Sequence, residues 1–302
     1  MIDLRNVVRG VDVSSAQGFP GHGSPPDFVK VGAAGYAFAI AKCIEGNATL
    51  PDPSFAGNWK NIADAGLVRG AYPFLHPDTV HTADAEDEAR RCVARVGELG
   101  AADFIMGDLE DAATVAHGLP DGEPFLRWLV TWAETTESEG GKTPLIYTGG
   151  PYFAKHARKC LSPELLARVR RFPLVIAAYV DDPDRYVALT PWAAAQGWVI
   201  WQRSGDLGAH GVPGARVPGI ACVVDEDIYR GSVDELRAFV AGLASVGLAS
   251  VARDVATGSS AAGDATTSDG SNDASPLGRA DRAEQEARDV AAATPDAPKG
   301  DG

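Results

Sequence analysis

The sequence predicts an α/β fold: a TIM-like barrel of five β/α units followed by three strands with little helix between them, plus a disordered C-terminal tail. Three observations carry that prediction. Short apolar runs alternate with helical patterns through the first two-thirds of the chain, as in a parallel sheet with crossover helices. Eight such runs are present, the number that closes a barrel of this class. Polar residues collect at the C-terminal ends of the runs, the face on which such barrels carry their chemistry.

The elements follow in order. Residues 7–13 are an apolar strand holding Asp12, and 18–26 are a Gly/Pro loop. Residues 28–34 form a short helix, and 36–44 (YAFAIAKCI) a second strand reaching Glu45. Residues 55–65 are helical by pattern, and 67–74 are a third strand leading to Tyr72, Phe74 and His76. Residues 82–99 form a charged helix whose acidic cluster (Asp84, Glu86, Asp87, Glu88) suits a helix N-terminus. Residues 104–110 are the fourth strand. Residues 124–139 are an amphipathic helix whose Trp128 and Trp132 fall at core spacing. Residues 144–148 are the fifth strand, and 152–171 are helical with an interruption at Ser162-Pro163. Strands at 173–180, 198–203 and 220–228 follow. A last helix spans 232–243, with Ser232 and Glu235 as a capping box. Asp12, Glu45, His76, Asp108, Glu110, Tyr147, Tyr179, Gln202 and Asp225 then all stand at C-terminal strand ends.

Residues 1–248 make up the barrel domain. Residues 249–302 are rich in Ala, Ser, Thr, Gly and Asp and hold no aromatic residue. Such a segment cannot bury enough apolar surface to offset its ordering entropy, so it is read as an acidic, disordered tail.

Composition excludes several function classes. A net charge of −14 argues against a nucleic-acid partner and against an anionic membrane surface. No apolar run approaches the roughly 18 residues needed to span a bilayer. The first residues lack a basic stretch followed by an apolar one, so no signal peptide is expected and synthesis is placed in the cytoplasm. Cys43, Cys92, Cys160 and Cys222 form no C-x-x-C pair, and the histidines form no H-E-x-x-H. No metal and no cofactor is expected. A monomer is expected.

The chemistry centres on Asp108-Leu109-Glu110. Side chains alternate along a strand, so these two carboxyls face the same way. Two carboxyls two residues apart rarely ionise independently, and one keeps its proton near neutral pH. A protonated acid beside an ionised one is the equipment of glycoside cleavage. The adjacent Asp111 reads as a cap or loop residue.

The ordered motifs resemble the glycoside hydrolase family 25 muramidases, the Chalaropsis-type lysozymes. Gly10-Val11-Asp12-Val13-Ser14 matches the family's G-x-D-x-S, and Lys42-Cys43-Ile44-Glu45-Gly46 is similar to K-A-T-E-G. Gly70-Ala71-Tyr72-Pro73-Phe74 resembles G-A-Y-H-F, and Asp108-Leu109-Glu110 matches D-x-E. Tyr147-Thr148, Ala177-Ala178-Tyr179, Trp201-Gln202 and Val224-Asp225-Glu226-Asp227 resemble its later motifs. The resemblance implies hydrolysis of the β-1,4 bond from N-acetylmuramic acid to N-acetylglucosamine in bacterial peptidoglycan. It implies Glu110 as general acid, kept protonated by the neighbouring carboxylates Asp12, Asp108 and Asp225. Glu45, Tyr72, Tyr147, Tyr179, Trp201, Gln202 and Asp227 become expected substrate-binding residues. Retention, inversion and substrate assistance all stay open. Two departures stand out: Pro73 replaces the usual His, a role His76 could take over, and Asp227 replaces the usual Asn. The expected setting is phage lysis or a virion, with a holin or the phage particle delivering the enzyme to the wall. A hydrolase of chitin-like polymers and a non-catalytic wall-binding component are the rival readings.

Overall fold

The structure is a computed structural model that describes residues 7–18, 24–46, 51–77, 80–110, 121–157, 160, 162–194, 197–205 and 214–244. All of these belong to one compact unit, Met1–Asp254. Asp111, the first six residues and the tail read from the sequence lie outside the described residues.

Nine strands are described: β1 (Val8–Val13), β2 (Tyr36–Glu45), β3 (Val68–Phe74), β4 (Asp103–Leu109), β5 (Leu145–Gly149), β6 (Leu174–Ala177), β7 (Trp198–Ser204), β8 (Ala215–Arg216) and β9 (Val223–Tyr229). The first seven run parallel in chain order. The last barrel strand, β9, runs the other way. It pairs antiparallel with both β7 and β1 and closes a mixed eight-stranded barrel. A parallel return needs a crossover, usually a helix, whereas 205–222 carry none among the described residues. The two-residue β8, which the sequence pattern does not announce, lies antiparallel on β9.

The helices are α1 (Phe28–Ala33), α2 (Phe55–Asp64), α3 (Thr82–Val96), α4 (Glu123–Gly140), α5 (Gly150–Ala157), α6 (Pro163–Arg170), α7 (Asp184–Val187) and α8 (Val233–Gly242). The sequence pattern runs α3 to residue 99, but Gly97 takes a φ of 77° and stops it at Val96. Ser162 caps α6 through the Leu165 N–H, which explains the interruption read at Ser162-Pro163. The capping box of α8 is in place: the Glu235 N–H donates to Ser232 Oγ at 3.2 Å, and the Ser232 N–H donates to Glu235 Oε2 at 2.7 Å.

Strand periodicity divides the core into two layers. Outward-facing Ala39, Ala41, Ile105, Leu109, Ile146 and Ile176 pack beneath the helices, with Trp128 and Trp132 of α4 fully buried. Gly107 permits the closest approach: a Cβ there would stand 2.5 Å from the Trp132 ring. This contact seats α4 against the strand that carries Asp108. The inward layer of Phe38, Ile40, Phe104, Met106, Leu145, Val175 and Ile200 fills the barrel. At its base the Lys142 ammonium donates to the carbonyls of Gly100, Asp103, Ala101 and Val240 at 2.8, 2.8, 3.1 and 3.3 Å. No helix among the described residues is long and apolar enough to cross a membrane.

Candidate active site

Above the apolar filling, the next inward position on most strands is polar. Asp12 on β1, Lys42 on β2, Tyr72 on β3, Asp108 on β4, Tyr147 on β5 and Gln202 on β7 line one cavity of about 440 Å³. Glu110, one residue past β4, lines the same cavity. The alternation rule therefore holds for Asp108 and Glu110. Asp225 also reaches this mouth, but not from a C-terminal strand end as its sequence position implied. It is the third residue of β9, and the reversal of that strand brings its start to the mouth, where Asp225 pairs with Asp12.

Gln202 is the hub of the polar layer and is 4% exposed. Its Oε1 accepts from the hydroxyls of Tyr179 at 2.7 Å and Tyr147 at 2.8 Å. Its Nε2 donates to Asp12 Oδ2 at 2.9 Å and to Asp225 Oδ2 at 3.4 Å. Those partners fix the amide's orientation, because hydroxyls donate to its oxygen while carboxylates need its N–H groups. The Tyr147 hydroxyl also reaches Glu110 Oε2 at 3.3 Å, so the shorter contact to Gln202 takes its proton.

Asp108, 7% exposed, is pushed well above the usual carboxylate range. Burial is the main cause, followed by Glu110 and Asp12; Lys42 pulls the other way. Burial raises Tyr72 and Tyr147 far above the ordinary phenol range, and Tyr179 in the same direction, with nearby carboxylates adding to each. All three remain neutral hydroxyls.

Not every expected residue enters the cavity. Trp201, expected to bind substrate, is 2% exposed and turned under the helices, with its Nε1–H donating to the Ala178 carbonyl at 2.6 Å. It follows Ile200 and precedes Gln202, both inward, so alternation sends it outward. Glu45 does not line the cavity. It pairs with Lys42 Nζ at 2.7 Å and His76 Nε2 at 3.3 Å at the rim. Asp227 is inward but lies beneath the cavity, 1% exposed. Pro73 carries no N–H for the ladder, and the register of β2 shifts between Lys42 and Ile44 opposite it. His76 does not fill the gap in the cavity: its ring packs on Gly46, whose φ is +46°, and against Glu45.

Lys42 lines the cavity although the expected site omitted it, and it is the one cation among the described cavity-lining residues. The parity that marks Phe38 and Ile40 as inward marks Lys42 as well, so a signal existed. A second cavity of about 280 Å³ adjoins the first at Glu110 and Tyr179. Its walls are Gly149, Pro151, Tyr152, Ala177 and Tyr186, of which Pro151, Tyr152 and Tyr186 stand in no sequence motif.

The sequence pattern of Glycosyl hydrolases family 25 matches residues 11–212, which contain Asp12, Asp108, Glu110 and Gln202. The chain belongs to that family. The uncharacterized protein YegX of Escherichia coli K12 is 29% identical over 208 residues, 68% of this chain and 64% of YegX. The match thus spans under two-thirds of that relative. The N,O-diacetylmuramidase of Arthroderma benhamiae is 24% identical over 235 residues, 76% of this chain and 88% of the relative. The bacterial lysozyme of Streptomyces coelicolor has a similar fold, with a TM-score of 0.61 at 22% identity over 78% of this chain and 98% of that one.

Proposed function

We propose that this family 25 protein is an N-acetylmuramidase that cleaves the β-1,4 bond from N-acetylmuramic acid to N-acetylglucosamine in peptidoglycan. The observation that carries this reading is the placement of Asp108 and Glu110 in one cavity with Asp12 and Asp225 across the mouth. Membership of the family and the named muramidase relative support it.

The larger cavity takes the donor sugar, because the carboxyl groups concentrate there. The smaller cavity, beyond Glu110 and walled by Pro151, Tyr152 and Tyr186, takes the leaving sugar. Flat aromatic faces suit the CH face of an uncharged acetamido sugar. Glu110, shared by both cavities, protonates the departing glycosidic oxygen. It is half-buried. A bound glycan strips its remaining water and strengthens its hold on the proton. Asp12 and Asp225 stabilise the positive charge that develops on the donor ring. Asp108, whose protonated form burial favours, offers an O–H to the substrate's acetamido group.

The test is digestion of purified peptidoglycan, borohydride reduction and mass spectrometry. Reduced N-acetylmuramic acid at the new ends is the expected product. Reduced N-acetylglucosamine ends, or cleavage of chitin oligomers alone, would move the bond assignment. Wall binding with no product would favour the non-catalytic reading.

A further inference from the structure

We propose that Asp227 is a positioning residue held as a neutral acid, donating its proton to Asp12 so that Asp12 stays an anion aimed into the cavity. Asp227 and Asp12 stand on adjacent strands, β9 and β1, with Gly10 opposite Asp227 and Asp12 opposite Asp225. Both side chains face inward on those strands, close enough for one carboxyl to hydrogen-bond the other. Ionised carboxylates only accept, so that bond requires one proton between the two.

The surroundings decide which of them carries it. Asp12 borders the cavity and accepts an N–H from Gln202 at 2.9 Å, a contact that favours its ionised form. Asp227 is sealed below, and its Oδ2 is buried without a hydrogen-bond partner among the described residues. A charge there would go unanswered. Burial followed by the Asp12 and Asp225 charges pushes the Asp227 carboxyl well above its ordinary range. On its own strand Asp225 also faces inward. Glu226 faces outward, where Arg9 and Arg203 engage it at 2.5 and 2.7 Å. Gln202, opposite Asp227 on β7, is uncharged. From farther round the wall come Lys42, Tyr72, Asp108 and Tyr147.

A neutral acid does an amide's work at low and neutral pH. That donor is lost when Asp227 ionises. The consequence is an alkaline limit on activity built into this chain. That activity arm rests on the proposed function, whereas a stability arm does not. A carboxyl raised in the folded state contributes stability that is lost as pH rises through its folded pKa.

The experiment compares full-length wild type with Asp227→Asn and Asp227→Leu from about pH 5 to about pH 9, reading kcat/KM on peptidoglycan and urea unfolding. Asp227→Asn is expected to stay within about threefold of wild type at the acid end and to move the alkaline fall to higher pH, where Glu110 alone sets it. Asp227→Leu is expected to lose about tenfold or more at every pH, since Asp12 then loses the Asp227 donor. The folding constant of Asp227→Asn should gain on wild type with rising pH, by up to about tenfold per pH unit. A flat stability difference would overturn the neutral-acid assignment whether or not peptidoglycan is the substrate. A growing difference with an unmoved alkaline limb, or an Asn variant as impaired as Leu, would overturn the positioning role.

Discussion

Replacing Gln202 with Leu is the sharpest probe of the polar layer. The side chains are similar in volume, so the change removes hydrogen bonds without opening a large cavity. Four contacts go: Tyr147, Tyr179, Asp12 and Asp225. Two are readily replaced, because Tyr179 and Asp225 are half-buried and water can reach them. Tyr147 can swing its proton to Glu110, already at 3.3 Å. Asp12 has the least recourse, being buried and losing a 2.9 Å donor to its charge. A hydrogen bond to a charged group is worth about 1.5–3 kcal/mol, and the variant should lose stability in that range. The chemistry should shift as well. A full Tyr147 donation to the Glu110 carboxylate stabilises its ionised form, so Glu110 gives up its proton more readily. The alkaline limb of kcat/KM therefore moves toward acid. Urea unfolding with a checked m-value and a pH–rate profile read both effects. Stability within about 0.5 kcal/mol of wild type, together with an unmoved alkaline limb, would refute the hub role.

Three further outcomes follow from individual contacts. Asp108→Asn keeps the shape of the neutral acid, so it should abolish most activity yet stabilise the fold as pH rises. The gain from pH 5 to pH 8 should be about 1.4 kcal/mol for each pH unit in that window over which the wild-type carboxyl stays protonated in the fold, read as a difference in unfolding free energy. Lys142→Met strands four carbonyls at the barrel base and should cost about 3 kcal/mol by urea unfolding, with KM unchanged because the site lies at the other end. Trp201→Phe should cost about 2 kcal/mol through the lost Ala178 contact and leave KM for peptidoglycan within about twofold; a large KM rise would return Trp201 to the substrate wall.

Much of the barrel is legible in the sequence because its signals are local. The apolar runs at 36–44 and 104–110 sit between turn residues, and the Ser232–Glu235 box is a pattern of four residues. Asp108 and Glu110 are legible for the same reason, since parity along one strand places both. What escapes the sequence depends on how distant strands meet. The direction of β9 follows from a missing crossover, and it decides that Asp225 opens the strand at the mouth rather than closing it. Trp201 and Gln202 are neighbours in one motif, but only the closed barrel shows that the amide enters the cavity and the indole turns away. Glu45 sits past a register shift in β2, which parity counting cannot foresee, and its side chain ends at the rim against Lys42 and His76. The depth of Asp227 and the aromatic cavity around Tyr152 and Tyr186 arise from segments far apart in the chain.

The central claim is that Glu110 delivers the proton to the leaving oxygen. Its most direct test is reducing-end release from purified peptidoglycan by wild type and Glu110→Gln, each first shown to be folded by circular dichroism and to bind the wall. The account predicts that the variant binds as wild type does and loses at least about a hundredfold in kcat, the usual contribution of a positioned acid. A variant that keeps wild-type turnover would contradict it and leave the Asp108–Glu110 pair without its assigned chemistry.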